Sequence, residues 1–229
     1  MQYQLDEQQQ AFHDEVQSFV SANLPLEVAA KVKRGEGASA AETAAWTTTL
    51  NDQGWVAPSW PAEHGGPGWN LMQRHIFDVV CRQAHAPAVN GASFNMVGPA
   101  ICKYGTPEMQ ADLLPRILSG ELHFCQGYSE PQAGSDLASL GMRADKDGDD
   151  YILNGQKIWT SGAENSNWIF LLVRTNHDVQ QQKGISFLLA DMNTQGVTVQ
   201  PLCAFNGKRL WNHVFFDDGS GINKFGLRM

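Results

Sequence analysis

The residues best equipped for chemistry lie in two short stretches, Tyr128 to Asp136 (Y-S-E-P-Q-A-G-S-D) and Trp159-Thr160-Ser161. Pro131 and Gly134 break any regular element in the first stretch. The hydroxyls of Ser129 and Ser135, with the backbone N–H groups around Gly134, point hydrogen-bonding capacity into one loop. Such a loop suits an anionic or carbonyl-rich ligand. It carries no strong nucleophile, no paired carboxylates and no metal ligands, so it positions something without reacting with it. Trp159 adds a flat apolar face beside two more hydroxyls, which suits a large planar heterocycle with polar edges. Spacing alone leaves two readings open, a cofactor cradle and a capped turn followed by a core tryptophan.

The remaining candidates read as structural. Glu130, the one acid in the loop, sits between a serine and a proline, where a turn former is commoner than a catalytic base. His123 and Cys125 would share a strand face, but no Asp or Asn partner accompanies them. The seven histidines are scattered without H-E-x-x-H spacing, so no metal site is expected. Gly65-Gly66 with Gly68 lacks a preceding strand and reads as a loop rather than a dinucleotide fingerprint. Lys103, Arg116 and Lys157 read as surface charges.

Composition bounds the partners. The chain has 229 residues, 42% of them hydrophobic, and a net charge of 16 − 24 = −8. That is enough apolar material for one large or two small globular domains, and no basic run interleaves with aromatics, so nucleic acid is excluded as a partner. No apolar run approaches the roughly 18 to 20 residues that a membrane span needs, and the N-terminus is polar, unlike a signal or transit peptide. Cys81, Cys102, Cys125 and Cys203 stand singly, which fits reduced thiols and a cytoplasmic setting.

Elements that could position the two stretches follow from periodicity. Leu5, Phe12, Val16, Phe19, Val20 and Leu24 recur at helical spacing, and Pro25 marks a stop. Ser39 and Glu42 form a capping box for a second helix that ends at Gly54. Trp55 to Trp69 is rich in Pro, Gly and Trp and predicts a packed loop. Leu71–Ala84 and Val89–Tyr104 predict two further helices. Thr106 caps another, starting at Pro107, kinked at Pro115 and ending at Gly120. Beyond Glu121 the period changes to that of strands. Met142–Ala144 and Tyr151–Leu153 flank K-D-G-D-D, and Asn154-Gly155 signals a tight turn. Trp168–Val173, Gly184–Ala190, Val197–Gln200 and Val214–Phe216 are further strands. The expected class is α+β, with an N-terminal all-α helical domain (1–120), a small antiparallel β-barrel or sandwich (121–218), and a flexible or unrelated tail (219–229).

Four motifs carry a resemblance over about Leu5 to Asp218. W-P-A-E-H-G-G-P-G, Y-G-T-P-E-M-Q-A-D-L-L-P-R-I-L-S-G-E, Y-S-E-P-Q-A-G-S-D and Y-I-L-N-G-Q-K-I-W-T-S-G, in that order, resemble the acyl-CoA dehydrogenase family. The resemblance implies FAD as cofactor and α,β-dehydrogenation of an acyl-CoA thioester to the trans-2-enoyl-CoA. It implies that the segment carrying Gln126, Gly127, Tyr128, Ser129, Gly134 and Ser135 follows the flavin edge and phosphates, with Ser135 also facing the acyl-CoA substrate. By the same resemblance Trp159 stacks on the flavin away from substrate, with Thr160 beside it and the Ser161 hydroxyl near N5. Electron-transfer flavoprotein is the implied electron acceptor, and the family assembles as homo-oligomers or heteromers.

The chain departs from the family pattern at Tyr128 and Gln132, and Thr160-Ser161-Gly162 stands where Ile-Thr-Asn is commoner. After Asp218 it runs G-S-G-I-N-K-F-G-L-R-M and does not enter the family's C-terminal helical domain. That domain brings the catalytic glutamate, so no catalytic residue is expected in these 229 residues and the site is expected to be incomplete. The alternatives are a non-catalytic subunit whose partner supplies the missing helices, and a flavin oxidase or monooxygenase of the same fold.

Overall fold

The computed structural model describes residues 5–219 and 226–227. The chain divides into two compact units: residues up to Pro99 with Leu114–Glu121, and Ala100–Leu113 with Leu122 onward.

The first unit is helical. Helix α1 (Glu7–Asn23) starts at Asp6, whose side chain accepts from Gln9 N–H while Gln9 reaches back to Asp6 N–H. Pro25 ends α1 as expected, but it also caps a short helix, α2 (Leu26–Lys33), that the periodicity did not reveal. Its single buried residue, Val28, gives eight residues too little apolar pattern to read. Capping boxes at Ser39/Glu42 and Asn70/Gln73 open α3 (Ala40–Asp52) and α4 (Leu71–Gln83). An aromatic cluster forms the core, with Phe19 against Trp55 at 4.7 Å, Trp69 against Phe77 at 5.1 Å and Phe12 edge-on to Trp69 at 5.1 Å. The proline-rich loop is packed as its tryptophans suggested. Trp60 is fully buried, its indole N–H donating to Phe94 carbonyl at 2.7 Å, and a Cβ at Gly98 would collide with its ring.

Helix begins later than Val89. Ala92–Val97 is a π-helical stretch that runs into α5 (Gly98–Tyr104), with Gly98 N–H bonded to Ser93 carbonyl. Pro99 has no N–H to offer the Asn95 carbonyl, so the ladder slips by one residue here. Helix α6 (Pro107–Leu118) is capped by Thr106, whose hydroxyl accepts from Met109 N–H at 3.3 Å, and runs through Pro115.

The second unit is built on one eight-stranded sheet: β1 (Phe124–Gly127), β2 (Arg143–Asp147), β3 (Asp150–Ser161), β4 (Trp168–Arg174), β5 (Ile185–Asp191), β6 (Val197–Cys203), β7 (Arg209–Gly219) and β8 (Gly226–Leu227). The strand order is β6-β7-β3-β2-β4-β5-β8, and β1 lies on β4. The sheet is mixed, with parallel pairings added to the antiparallel ones that were expected. The hairpins are antiparallel, but β1 runs parallel to β4 from Phe124↔Trp168 to Gly127↔Leu171, and β2 meets β4 in parallel at Arg143↔Arg174. The connection from β1 to β4 carries β2 and β3, and that from β2 to β4 carries β3, which gives both parallel pairings the long link they demand. Asn154-Gly155 also differs from expectation, lying inside β3 at a register shift against β7 and making no turn. The Asn154 side chain is bonded to Asp218 at 3.0 Å. Gly219 ends β7 and Gly226–Leu227 pair with β5; the rest of the expected tail lies outside the described residues.

Cys125, Met142, Leu153, Ile169, Leu171, Val214 and Phe216 pack the sheet core. Burial pushes the Cys125 thiol from its ordinary 9.0 up to about 12. Between those values the unfolded chain gives up this proton and the native protein keeps it, so stability falls as pH rises through that window, by about 1.4 kcal/mol per unit from this group. Denaturant melts of the wild type and Cys125→Ala between these limits are expected to show the shallower decline in the variant.

Candidate functional site

The loop from Tyr128 to Asp136 folds around a carboxylate. Glu130 N–H bonds Ala133 carbonyl at 2.8 Å and Ala133 N–H returns to Glu130 carbonyl at 3.1 Å, closing a tight turn at Pro131-Gln132. The Glu130 side chain is buried inside it. Its oxygens accept from Gly141 N–H at 2.7 Å, Met142 N–H at 3.0 Å, Gln132 Nε2 at 2.8 Å and Lys157 Nζ at 2.7 Å. A carboxylate so fully occupied organises a loop, in keeping with the turn-former expectation, and has no lone pair left for a substrate proton.

Lys157 corrects the sequence reading. It was expected at the surface, yet its side chain is 0% exposed and that of Glu130 2%. The ammonium also donates to Tyr128 carbonyl at 3.2 Å. Burial pulls it below its ordinary 10.5, with the Glu130 bond pulling upward. The missed signal was parity: Lys157 lies four residues from Leu153 on the same strand, and Leu153 faces the core.

The same parity would bury Trp159. A bulge in β3 reverses it: the pairing with β7 jumps from Lys157↔Val214 to Thr160↔Asn212, and Trp159 takes φ +62°. A left-handed bulky residue is rare and strained. The result is that the Trp159 indole is turned out, 58% exposed and edge-on to Trp211 at 5.9 Å, while Thr160 turns in. Trp159 is therefore not a core tryptophan. Bulges of this kind re-aim a side chain.

The two stretches meet. Ile158 N–H donates to Ser129 carbonyl at 2.9 Å, which places Ser129 beside the residue preceding Trp159. Ser129 is half-buried and Ser135 and Ser161 are exposed, and none of the hydrogen bonds among the described residues uses their hydroxyls. Thr160 differs from them. It is buried, and its hydroxyl has no hydrogen-bond partner among the described residues, nor has Asn212 Oδ1 across the pairing, although Asn212 Nδ2 donates to Thr160 carbonyl at 3.0 Å. Two neighbouring orphaned polar atoms are costly in a protein interior. Asn212 gave no sequence signal.

The rest of the expected set lies on β1 and the loop. Gln126 and Gly127 close β1, Gln126 bonds the Tyr128 phenol, and Tyr128 stands edge-on to Phe170 at 5.7 Å. Burial pushes that phenol up, against the pull of Gln126. Space at Gly127 is tight: a Cβ would lie 2.5 Å from Leu171 Cδ2 and 2.9 Å from Ile169 Cδ1, so these buried methyls would have to shift. Gly127→Ala is expected to cost about 1–3 kcal/mol in a denaturant melt. Gly134 is open, with nothing within 4 Å of a Cβ. Among the described residues no cluster of His, Cys, Asp and Glu could hold a metal, and no helix is long and apolar enough to cross a membrane.

Comparison with known proteins finds a family for the chain. Residues 6–121 match the acyl-CoA dehydrogenase N-terminal domain and residues 125–218 the middle domain. The acyl-CoA dehydrogenase IpdE1 of Mycobacterium tuberculosis is 40% identical over 212 residues, which are 90% of this chain and 55% of that protein. The Tcur3481-Tcur3483 steroid ACAD superposes with a TM-score of 0.86 at 29% identity, over 100% of this chain and 59% of its own. The ChsE4-ChsE5 complex from Mycobacterium tuberculosis gives 0.79 at 35% identity, over 95% and 55%. The chain thus spans about half the length of the curated relatives it matches.

Proposed function

The chain belongs to the acyl-CoA dehydrogenase family, and from that premise we propose that its sheet unit holds FAD for the α,β-dehydrogenation of an acyl-CoA thioester. The observation that carries the reading is the Trp159 bulge: the backbone bears a strained left-handed residue whose effect is to present an indole outward beside unengaged hydroxyls. A planar heterocycle with polar edges fits that surface, apolar on the indole and hydrogen-bonding at Ser129 and Ser161. FAD, when bound, supplies the two-electron acceptor that no side chain of this chain could replace.

The chain's own residues bind and orient. Trp159 would cover one face of the ring system and the Ser161 and Ser129 hydroxyls would donate hydrogen bonds to its edge, with Thr160 buried beside them. The Gln126–Ser135 segment, with Gly127, Tyr128 and Gly134, would hold the remainder of the cofactor, and Ser135 would serve the acyl-CoA. Donors set in advance where negative charge accumulates on the ring favour its reduced form. The base that removes the α-proton comes from outside the described residues. Electron-transfer flavoprotein is the proposed acceptor and the cytoplasm the proposed site of action.

A heteromeric partner is the second element of the proposal. Two of the similar solved structures, the ChsE4-ChsE5 complex and the Tcur3481-Tcur3483 steroid ACAD, carry two component names. A second chain of the same family is the proposed source of the base and the rest of the acyl pocket, with a steroid acyl-CoA first among substrates to test. Co-expression of the 229-residue chain with such a partner, followed by flavin quantitation and an assay with an artificial electron acceptor, tests this. Bound FAD with dehydrogenation and slow reaction with oxygen is expected. Flavin-free protein overturns the reading, and fast turnover with oxygen in place of the acceptor assigns an oxidase.

A further inference from the structure

We propose that the buried Glu130–Lys157 pair is a positioning device for the cofactor cradle, tying the loop to the strand bulge; this rests on the FAD reading above. Glu130 lies one residue after Ser129 and five before Ser135, and Lys157 lies two residues before Trp159. The 2.7 Å bond between them, with the 3.2 Å bond from Lys157 Nζ to Tyr128 carbonyl, joins the two segments that carry every proposed cofactor contact. The carboxylate also holds Gly141 and Met142 N–H at the start of β2, so the loop is fixed at its turn, on β3 and at its exit.

Stability alone gives little reason to keep such a pair. Removing both charges from water is costly, and apolar residues of similar volume often serve a core as well or better. Geometry is a better reason. A pair with these four donors on the carboxylate is satisfied in one arrangement, whereas an apolar contact tolerates sliding. The register it fixes sets where the Ser129 hydroxyl stands relative to the Trp159 ring. Neither residue touches the cofactor in this scheme; both act through Ser129 and Trp159.

The test is the double variant Glu130→Leu/Lys157→Met in the full chain, with Glu130→Gln, which preserves volume, measured alongside. FAD affinity by titration, the reduction potential of bound flavin and thermal stability are read together. The expected result is FAD binding weakened at least tenfold and a shifted potential in both variants, with the double variant still folded but melting below wild type, because the Gly141 and Met142 N–H groups lose their acceptor. Affinity within twofold of wild type and an unchanged potential in a folded double variant would overturn the positioning role while leaving the FAD reading intact. A wild-type chain that takes up no FAD would overturn both.

Discussion

Replacing Lys157 by alanine is expected to lower the unfolding free energy by about 3–5 kcal/mol. The carboxylate of Glu130 is 2% exposed and would keep its backbone donors from Gly141 and Met142, but its one cationic partner among the described residues would be gone. An uncompensated charge in a site closed to water is among the costliest defects a core can carry, and the cavity left by the lysine stem adds to it. Urea melts at neutral pH measure the loss. A loss below about 1 kcal/mol at neutral pH would mean that water reaches the pair.

Trp159→Gly is expected to separate binding from stability. A left-handed conformation costs an ordinary residue about 1–2 kcal/mol, which glycine recovers. Against this stands the edge contact with Trp211, worth about 0.5–1.5 kcal/mol. The two nearly cancel, because the indole is mostly in water and little burial is lost. Stability therefore stays roughly level. Affinity for FAD falls by about 10–100-fold, the scale of losing one aromatic stacking surface. Trp159→Phe restores most of the affinity. A structural tryptophan would behave in the opposite way, with stability lost and FAD unaffected.

Helix existence was legible because it is written in caps and periods: Ser39 with Glu42, and Thr106 with Pro107, each found its expected place. The π-helical turn at Ala92–Val97 was not, since it arises from a missing donor at Pro99 in a segment whose apolar pattern continues unbroken. Parallel pairing of β1 with β4 depends on a crossover that no local signal announces. At the site, sequence supplied the hydroxyls and the tryptophan but misjudged the charges. Lys157 looked like a surface residue because lysine usually is, and only the parity with Leu153 argued otherwise. The inversion at Trp159 was invisible, because a bulge changes parity without a glycine or proline to mark it.

The claim on which the rest depends is that the Trp159 face and the Ser129 loop together grip an isoalloxazine. Electron density for the chain crystallised with FAD decides it. The ring system is expected stacked on Trp159, with the Ser129 and Ser161 hydroxyls within hydrogen-bond distance of its edge. Density for the flavin elsewhere, with the Trp159 ring bare, would contradict it.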